Sequence, residues 1–240
     1  MLKRRLFVTG DMHRVFNRIY DFFPDYEENK NIDLIILGDA GIGYENNKSD
    51  RDIAKKLAAT NLTFYCLRGN HELRPEDMNN VDLVLGADGA PIWQDLEYPN
   101  IKYFMDGTVY HFGRKSFLTI GGAYSVDKYY RLMMNRKWFP NEQLTPEEMI
   151  AIETNWGGQH FDYVLTHTCP YSWQPTDLFL KSIDQNTVDN TMEMWLDGFK
   201  DTISFDNWLF GHYHADRIIM DKPYIKMFYY NIEEIEPKGE

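Results

Sequence analysis

A chain of 240 residues, 43% hydrophobic and 15% aromatic, can bury a sizeable core and is too apolar to be disordered. Its formal net charge of −12 repels polyanions, which sets it against nucleic acid or an anionic membrane as a stable partner. No run approaches the roughly 18 apolar residues of a membrane span, residues 6–8 are too short for a secretory signal core, and Cys66 and Cys169 cannot build a disulfide framework, so a cytoplasmic protein is expected.

The first short apolar run, residues 6–8, reads as a buried strand and leads into Gly10-Asp11-Met12-His13. A helix is expected over residues 15–23, stopped by Pro24. A second strand over 34–37 leads into Gly38-Asp39, and Ser49 is placed to cap a helix over 50–59. The third strand, 63–67, runs into Arg68-Gly69-Asn70-His71-Glu72. Residues 101–120 carry no helical pattern and read as antiparallel strands, with an apolar run at 116–120. Thr145-Pro146-Glu147-Glu148 is a capping box with proline at the first helical position, starting a helix that ends near Trp156 before Gly157-Gly158. A strand over 163–166 precedes His167, a helix lies within 188–200, and a strand over 208–210 precedes Gly211-His212-Tyr213-His214. The charged residues 233–240 read as a frayed tail, and with no linker or repeat the chain reads as one domain, 1–240. Strand–helix alternation implies parallel pairing and, with the antiparallel middle, an α/β fold with mixed sheets.

The pattern that carries chemistry is positional. Five apolar runs each end in polar residues of metal-ligand type, and five of the seven histidines (His13, His71, His167, His212, His214) lie in those segments. Ligands at the carboxyl ends of strands in an open α/β sheet converge on one crevice. A Gly-Asp pair or a lone histidine there is usually only a turn; the joint order of all five segments is what points to a site. Asp, Asn and His together suit Mn, Fe or Zn rather than a thiolate site, and a carboxylate such as Asp39 can bridge two ions.

These residues resemble the motifs of the calcineurin-like metallophosphoesterase superfamily: GD-x-H at Gly10–His13, GD at Gly38-Asp39, GNH[ED] at Gly69–Glu72, an isolated His167, and GH-x-H at Gly211–His214. The match covers about residues 6–216 and is most similar to compact bacterial and phage members. The resemblance implies a four-layer αββα sandwich of two mixed β-sheets flanked by helices. It implies one divalent ion on Asp11, His13, Asp39 and His214, and a second on Asp39, Asn70, His167 and His212. It further implies attack by a metal-bridging hydroxide, with His71 as the catalytic side chain beside the substrate. The expected activity is a phosphomonoesterase, protein-phosphatase-like or acting on a small phosphorylated molecule. A phosphodiesterase or nucleotide hydrolase is one alternative, and a non-catalytic scaffold another.

The sequence departs from the familiar branches after the second motif. Ile42 stands where they place an aspartate that orients the catalytic histidine, and Gly43 where they place an arginine that clamps phosphate. Arg14 and Arg131 are therefore the candidates for substrate binding, since arginine holds phosphate bidentately. Arg68 is expected to brace its loop, Asp127 to serve a turn, and Glu72 is a candidate to orient His71 or His13. Cys169 and Cys66 read as structural. Trp138-Phe139-Pro140 and residues 171–175 are candidates to wall a pocket.

Overall fold

The computed structural model describes residues 4–235. Strands β1 (Arg5–Thr9), β2 (Ile32–Ile36), β3 (Thr63–Cys66), β4 (Val81–Leu85), β5 (Pro91–Asp95), β6 (Ile101–Tyr103) and β13 (Ile232–Ile235) form a seven-stranded sheet in the order β13-β1-β2-β3-β6-β5-β4. Strands β7 (Thr108–Phe112), β8 (Lys115–Ile120), β9 (His160–Thr166), β10 (Ser204–Phe210), β11 (Arg217–Met220) and β12 (Tyr224–Met227) form a six-stranded sheet in the order β11-β12-β10-β9-β8-β7. Each sheet has a parallel centre, β1-β2-β3-β6 in one and β8-β9-β10-β12 in the other, closed by antiparallel strands at its edges. The expected mixed sheets are present.

Alternation along the central strands sorts side chains into three apolar layers. Leu6, Val8, Ile35 and Leu37 point between the sheets, where Phe117, Tyr163, Leu165 and Leu209 meet them. Phe7, Leu34, Ile36 and Phe64 point outward and are covered by Ile19 of α1 (Asn17–Phe22) and by Ala54 and Leu57 of α2 (Lys48–Ala58). On the far side Leu118, Ile120, Val164, Trp208 and Phe210 are covered by Met149 and Ile152 of α4 (Pro146–Trp156) and by Met192, Leu196 and Phe199 of α5 (Thr191–Phe199). Three apolar layers between four structural layers make the αββα sandwich. Between the sheets Phe117 and Tyr163, paired in register across β8 and β9, stack with ring centroids 4.4 Å apart.

The helix signals hold in part. α4 begins with the expected capping box, Thr145 accepting from the Glu148 N–H while Glu148 accepts from the Thr145 N–H. α2 is capped by Asn47, whose side chain accepts from the Ser49 N–H; Ser49, expected as the cap, sits inside the helix. A short helix, α3 (Lys128–Met133), follows the Gly121-Gly122 turn. The frayed tail expected over 233–240 is not found at 233–235: residues 232–235 are β13, paired antiparallel with β1, and residues 236–240 lie outside the described residues. Among the described residues no helix is long and apolar enough to cross a membrane.

Candidate metal centre

The parallel centres of both sheets deliver five carboxyl ends to one edge of the sandwich. Asp11 and His13 follow β1, Asp39 follows β2, Asn70 and His71 follow β3, His167 follows β9, and His212 and His214 follow β10. The loops interlock closely enough to require glycine. A Cβ on Gly38 would lie 2.1 Å from His167 Nδ1, and one on Gly69 would lie 2.0 Å from Asp39 Oδ1. The backbone is strained at the ligand positions themselves: His13, Asp39, His212 and His214 have φ of 43, 50, 69 and 52°. Left-handed conformations cost a residue with a Cβ on the order of 1–2 kcal/mol each, so the surrounding hydrogen bonds must hold them. Asp39 accepts from the His71 N–H, Asp11 accepts from the His212 N–H, and the His13 N–H donates to the Asp39 carbonyl. Arg18 donates to the Gly10 and Asp11 carbonyls and ties down the first loop.

All seven candidate ligands, Asp11, His13, Asp39, Asn70, His167, His212 and His214, are brought together. His13 Nε2 lies 2.8 Å from His214 Nε2, and these nitrogens are 3.6 and 3.3 Å from Asp11 Oδ2. Asp39 Oδ2 lies 3.8 Å from His13 Nδ1 and 3.7 Å from His167 Nε2. Asn70 Oδ1 is 2.9 Å from His167 Nε2 and 3.2 Å from His212 Nδ1.

Two features fit a cation here. His167 Nδ1 faces the Leu37 carbonyl at 2.7 Å and donates to it; in that tautomer Nε2 presents its lone pair to Asn70 Oδ1, another acceptor. Asp11 Oδ2 is buried and meets only imidazole nitrogens, His214 Nε2 at 3.3 Å and His13 Nε2 at 3.6 Å, and a buried carboxylate oxygen is costly unless positive charge meets it. The electrostatics agree. Burial and the neighbouring Asp11 charge push the Asp39 carboxyl well above its usual range. Burial would also raise Asp11, but hydrogen bonding to His214 and the surrounding imidazoles hold it below its usual range. Burial depresses His13 to about 4, His212 to about 3 and His71 to about 2, so these rings stay neutral and free to ligate or hydrogen-bond.

The secondary candidates separate. Arg131 reaches the centre: Nη2 is 3.4 Å from His71 Nε2, while Nε donates to Asp127 at 2.7 Å and Nη1 to the Tyr44 hydroxyl. Arg14 is turned away, donating to Asp50 at 2.5 Å, Ser49 at 2.7 Å and the Gly41 carbonyl at 3.0 Å, so it ties the second loop to α2. Glu72 orients neither His71 nor His13; its oxygens accept from the N–H groups of Gly69 and Gly41 and lock the second and third loops together. Arg68 braces as expected, bonded to Asp106 and to the Gly121 and Glu142 carbonyls. Asp127 is the partner of Arg131 rather than only a turn residue. Both cysteines are buried.

A cavity of about 390 Å³ opens against Asp39, Asn70, His71, His212 and His214. Of the expected wall only Gln174 lines it; the rest comes from Tyr124, Val126, Asp127, residues within 178–190, Glu193 and Tyr213. Trp138 is instead held by Glu142, and Trp173 packs on Trp208 with centroids 5.3 Å apart. The sequence reading also missed Ser125 and Glu142. Ser125 accepts from Asn70 Nδ2 at 2.8 Å and bonds in turn to Glu142, which fixes the Asn70 oxygen toward the histidines. Only the polar residues within the 121–127 turn hinted at this.

The family model described as calcineurin-like phosphoesterase matches residues 4–216. Among solved structures, TT1561 of Thermus thermophilus is similar at 11% identity and a TM-score of 0.49, with 97% of this chain and 98% of that chain covered. A second crystal structure is similar at 10% identity and a TM-score of 0.45, with 95% and 90% covered. No curated protein matches.

Proposed function

Since the chain belongs to the calcineurin-like phosphoesterase family, we propose that it hydrolyses phosphate monoesters with two divalent ions, Mn, Fe or Zn, at the five strand ends. Asp11, His13, Asp39 and His214 would hold one ion, and Asp39, Asn70, His167 and His212 the other. The observation that carries this reading is the pair of facing acceptors, His167 Nε2 and Asn70 Oδ1 at 2.9 Å, close to the buried carboxylates of Asp11 and Asp39. The position of Asp39 Oδ2 between His13 and His167 supports its sharing by both ions.

When bound, the ions supply positive charge that acidifies a water nucleophile and offsets charge on the phosphoryl oxygens. The chain supplies the rest. His71 lines the cavity beside the candidate ligands, and Arg131 reaches it from α3. Both would hydrogen-bond phosphoryl oxygens, Arg131 standing in for the clamping arginine that Gly43 replaces. Asp127 holds the Arg131 guanidinium in that orientation. The cavity beside His71, His212 and His214 has room for the organic group of a monoester.

The test is hydrolysis of p-nitrophenyl phosphate and of its bis-ester by protein loaded with Mn²⁺, Fe²⁺ or Zn²⁺. The monoester is the better substrate, and Asp39→Asn lowers kcat/KM by more than about a hundredfold, beyond what loss of an outer partner of a metal ligand does. His71→Ala lowers it while metal content is kept. Absence of turnover of either ester with every metal would rule out catalysis, and binding of less than one ion per chain would leave a scaffold as the reading.

A further inference from the structure

We propose that the cavity beside the metal centre is a leaving-group subsite, shaped for the phosphate ester of an apolar, ring-sized alcohol that itself carries a hydroxyl or N–H, and that Glu193 hydrogen-bonds that group. The inference rests on the phosphoesterase reading and names its substrate class.

The cavity joins two kinds of surface. One side is the centre, with His71, His212 and His214; the other is apolar, with Val126, Leu178, Phe179, Leu180, Ile183 and Val188. The Phe179 and Tyr213 rings run nearly parallel, 16° apart with centroids at 6.4 Å, and both line it. A small phosphate-bearing molecule gains nothing from such a wall, whereas a ring gains the transfer of its faces out of water.

Set into the lining is one charged residue of α5. Glu193 is 3% exposed; its Oε1 accepts from Thr168 Oγ1 at 2.7 Å, and its Oε2 has no partner. The amides on the same wall are already engaged: Gln174 donates to Asn190, Asn190 to the Val188 carbonyl, and Gln185 to the Ile183 carbonyl. Leaving a carboxyl oxygen unpaired in an apolar wall is costly, and a ligand O–H or N–H removes the cost. In the reaction, water adds across the ester P–O bond. Phosphorus takes the oxygen of water and the departing oxygen takes a proton, giving orthophosphate and the free alcohol that the subsite holds.

The experiment compares esters that share a leaving-group chemistry. With Mn²⁺-loaded protein, kcat/KM for benzyl phosphate exceeds that for ethyl phosphate by about tenfold or more, mostly through KM. 4-(Hydroxymethyl)benzyl phosphate is preferred over 4-methylbenzyl phosphate several-fold. That preference survives in Glu193→Gln and vanishes in Glu193→Leu. A merely structural role of Glu193 at Thr168 would slow both esters alike and leave their ratio unchanged. Should Glu193→Leu fail to fold, Ile183→Trp, on the half-buried wall, narrows the benzyl-to-ethyl ratio by filling the cavity. A readout free of metal and catalysis is the Tm of the metal-free chain, which benzene-1,4-dimethanol raises more than 4-methylbenzyl alcohol does. Equal kcat/KM for benzyl and ethyl phosphate, or a hydroxyl preference that persists in Glu193→Leu, overturns the subsite. If no ester is cleaved with any metal the phosphoesterase reading falls, and the shift in Tm alone then decides whether the subsite stands.

Discussion

The loops that carry the candidate ligands follow strands that end in buried residues, and Asp11, Asp39, Asn70 and His167 are themselves at most 1% exposed. The facing wall, residues 171–190, contains three single-turn 3₁₀ helices, and most of its side chains meet solvent. The first region accepts left-handed backbone at His13, Asp39, His212 and His214 and holds it with glycine contacts and hydrogen bonds from both sheets. The second shows short local hydrogen bonds such as Thr187 to Asp184. Coordination demands donors fixed to a fraction of an ångström, while an apolar wall has only to cover a surface. On the proposed reading one region has to be rigid, and the other is free to set which organic group is taken.

The largest expected effect breaks the rigid side alone. In Gly69→Ala the new Cβ would meet Asp39 at 2.0 Å from Oδ1 and 2.3 Å from the backbone nitrogen. Neither atom is the far end of a flexible chain. Stability falls by roughly 1–3 kcal/mol in urea denaturation, and kcat/KM drops more than about a hundredfold as metal content falls below one ion per chain. A variant with normal metal content and near-normal turnover would mean that the loops are not mutually locked.

The same contrast governs what could be read from the sequence. The central parallel strands are buried on both faces and appear as unbroken apolar runs; β1, β2, β3, β8, β9 and β10 were legible for that reason. The edge strands β4, Val81-Asp82-Leu83-Val84-Leu85, and β11 are short and mix exposed with half-buried residues, and neither leads into a polar ligand-type segment that would have marked it. The candidate ligands stood out because each lies a residue or a few beyond such a run. Their neighbours were not. Arg14 and Arg131 look alike in sequence, and only the distant Asp50 on α2 draws Arg14 away while Asp127 leaves Arg131 beside His71. Asn47 and Ser49 are equally good caps, and the geometry of α2 chooses Asn47. Aromatic content misdirected the search for the wall, since Trp138 and Trp173 are engaged by Glu142 and Trp208 instead. Glu193 read as an ordinary helical residue, because nothing local tells that α5 turns it toward the cavity.

A pH titration of the metal-free chain separates the regions by sign. At the ligand loops, burial depresses His13 to about 4, His212 to about 3 and His71 to about 2, against roughly 6.5 in the unfolded chain. The unfolded state then binds more protons, so stability from these rings is intact above about pH 6.5 and is lost as pH falls toward 2. At the cavity, burial raises Glu193 to about 7 from its usual 4.5. Its contribution is present below pH 4.5 and is lost as pH rises through 7. Glu193→Gln therefore gains stability over wild type progressively between pH 4.5 and 7 and leaves the acid limb unchanged, measured as urea midpoints across pH. A constant offset at every pH would mean that Glu193 is ionised throughout, with a partner in the wall.

The smallest effect is expected at Leu180, 62% exposed on the wall. A side chain that exposed contributes little to folding, so Leu180→Ala stays within about 0.5 kcal/mol of wild type in denaturation. It lines the cavity, and a ring seated there would cover part of its exposed surface. KM for benzyl phosphate then rises about two- to fourfold, the share of a leucine's burial that remains for a ligand to complete, while KM for ethyl phosphate holds. Steady-state kinetics on the two esters read this directly. A loss of more than about 1 kcal/mol, with both esters affected equally, would place the wall in the folding core rather than in recognition. The distinction between a region fixed for coordination and a region free for selection would then fail at its most exposed point.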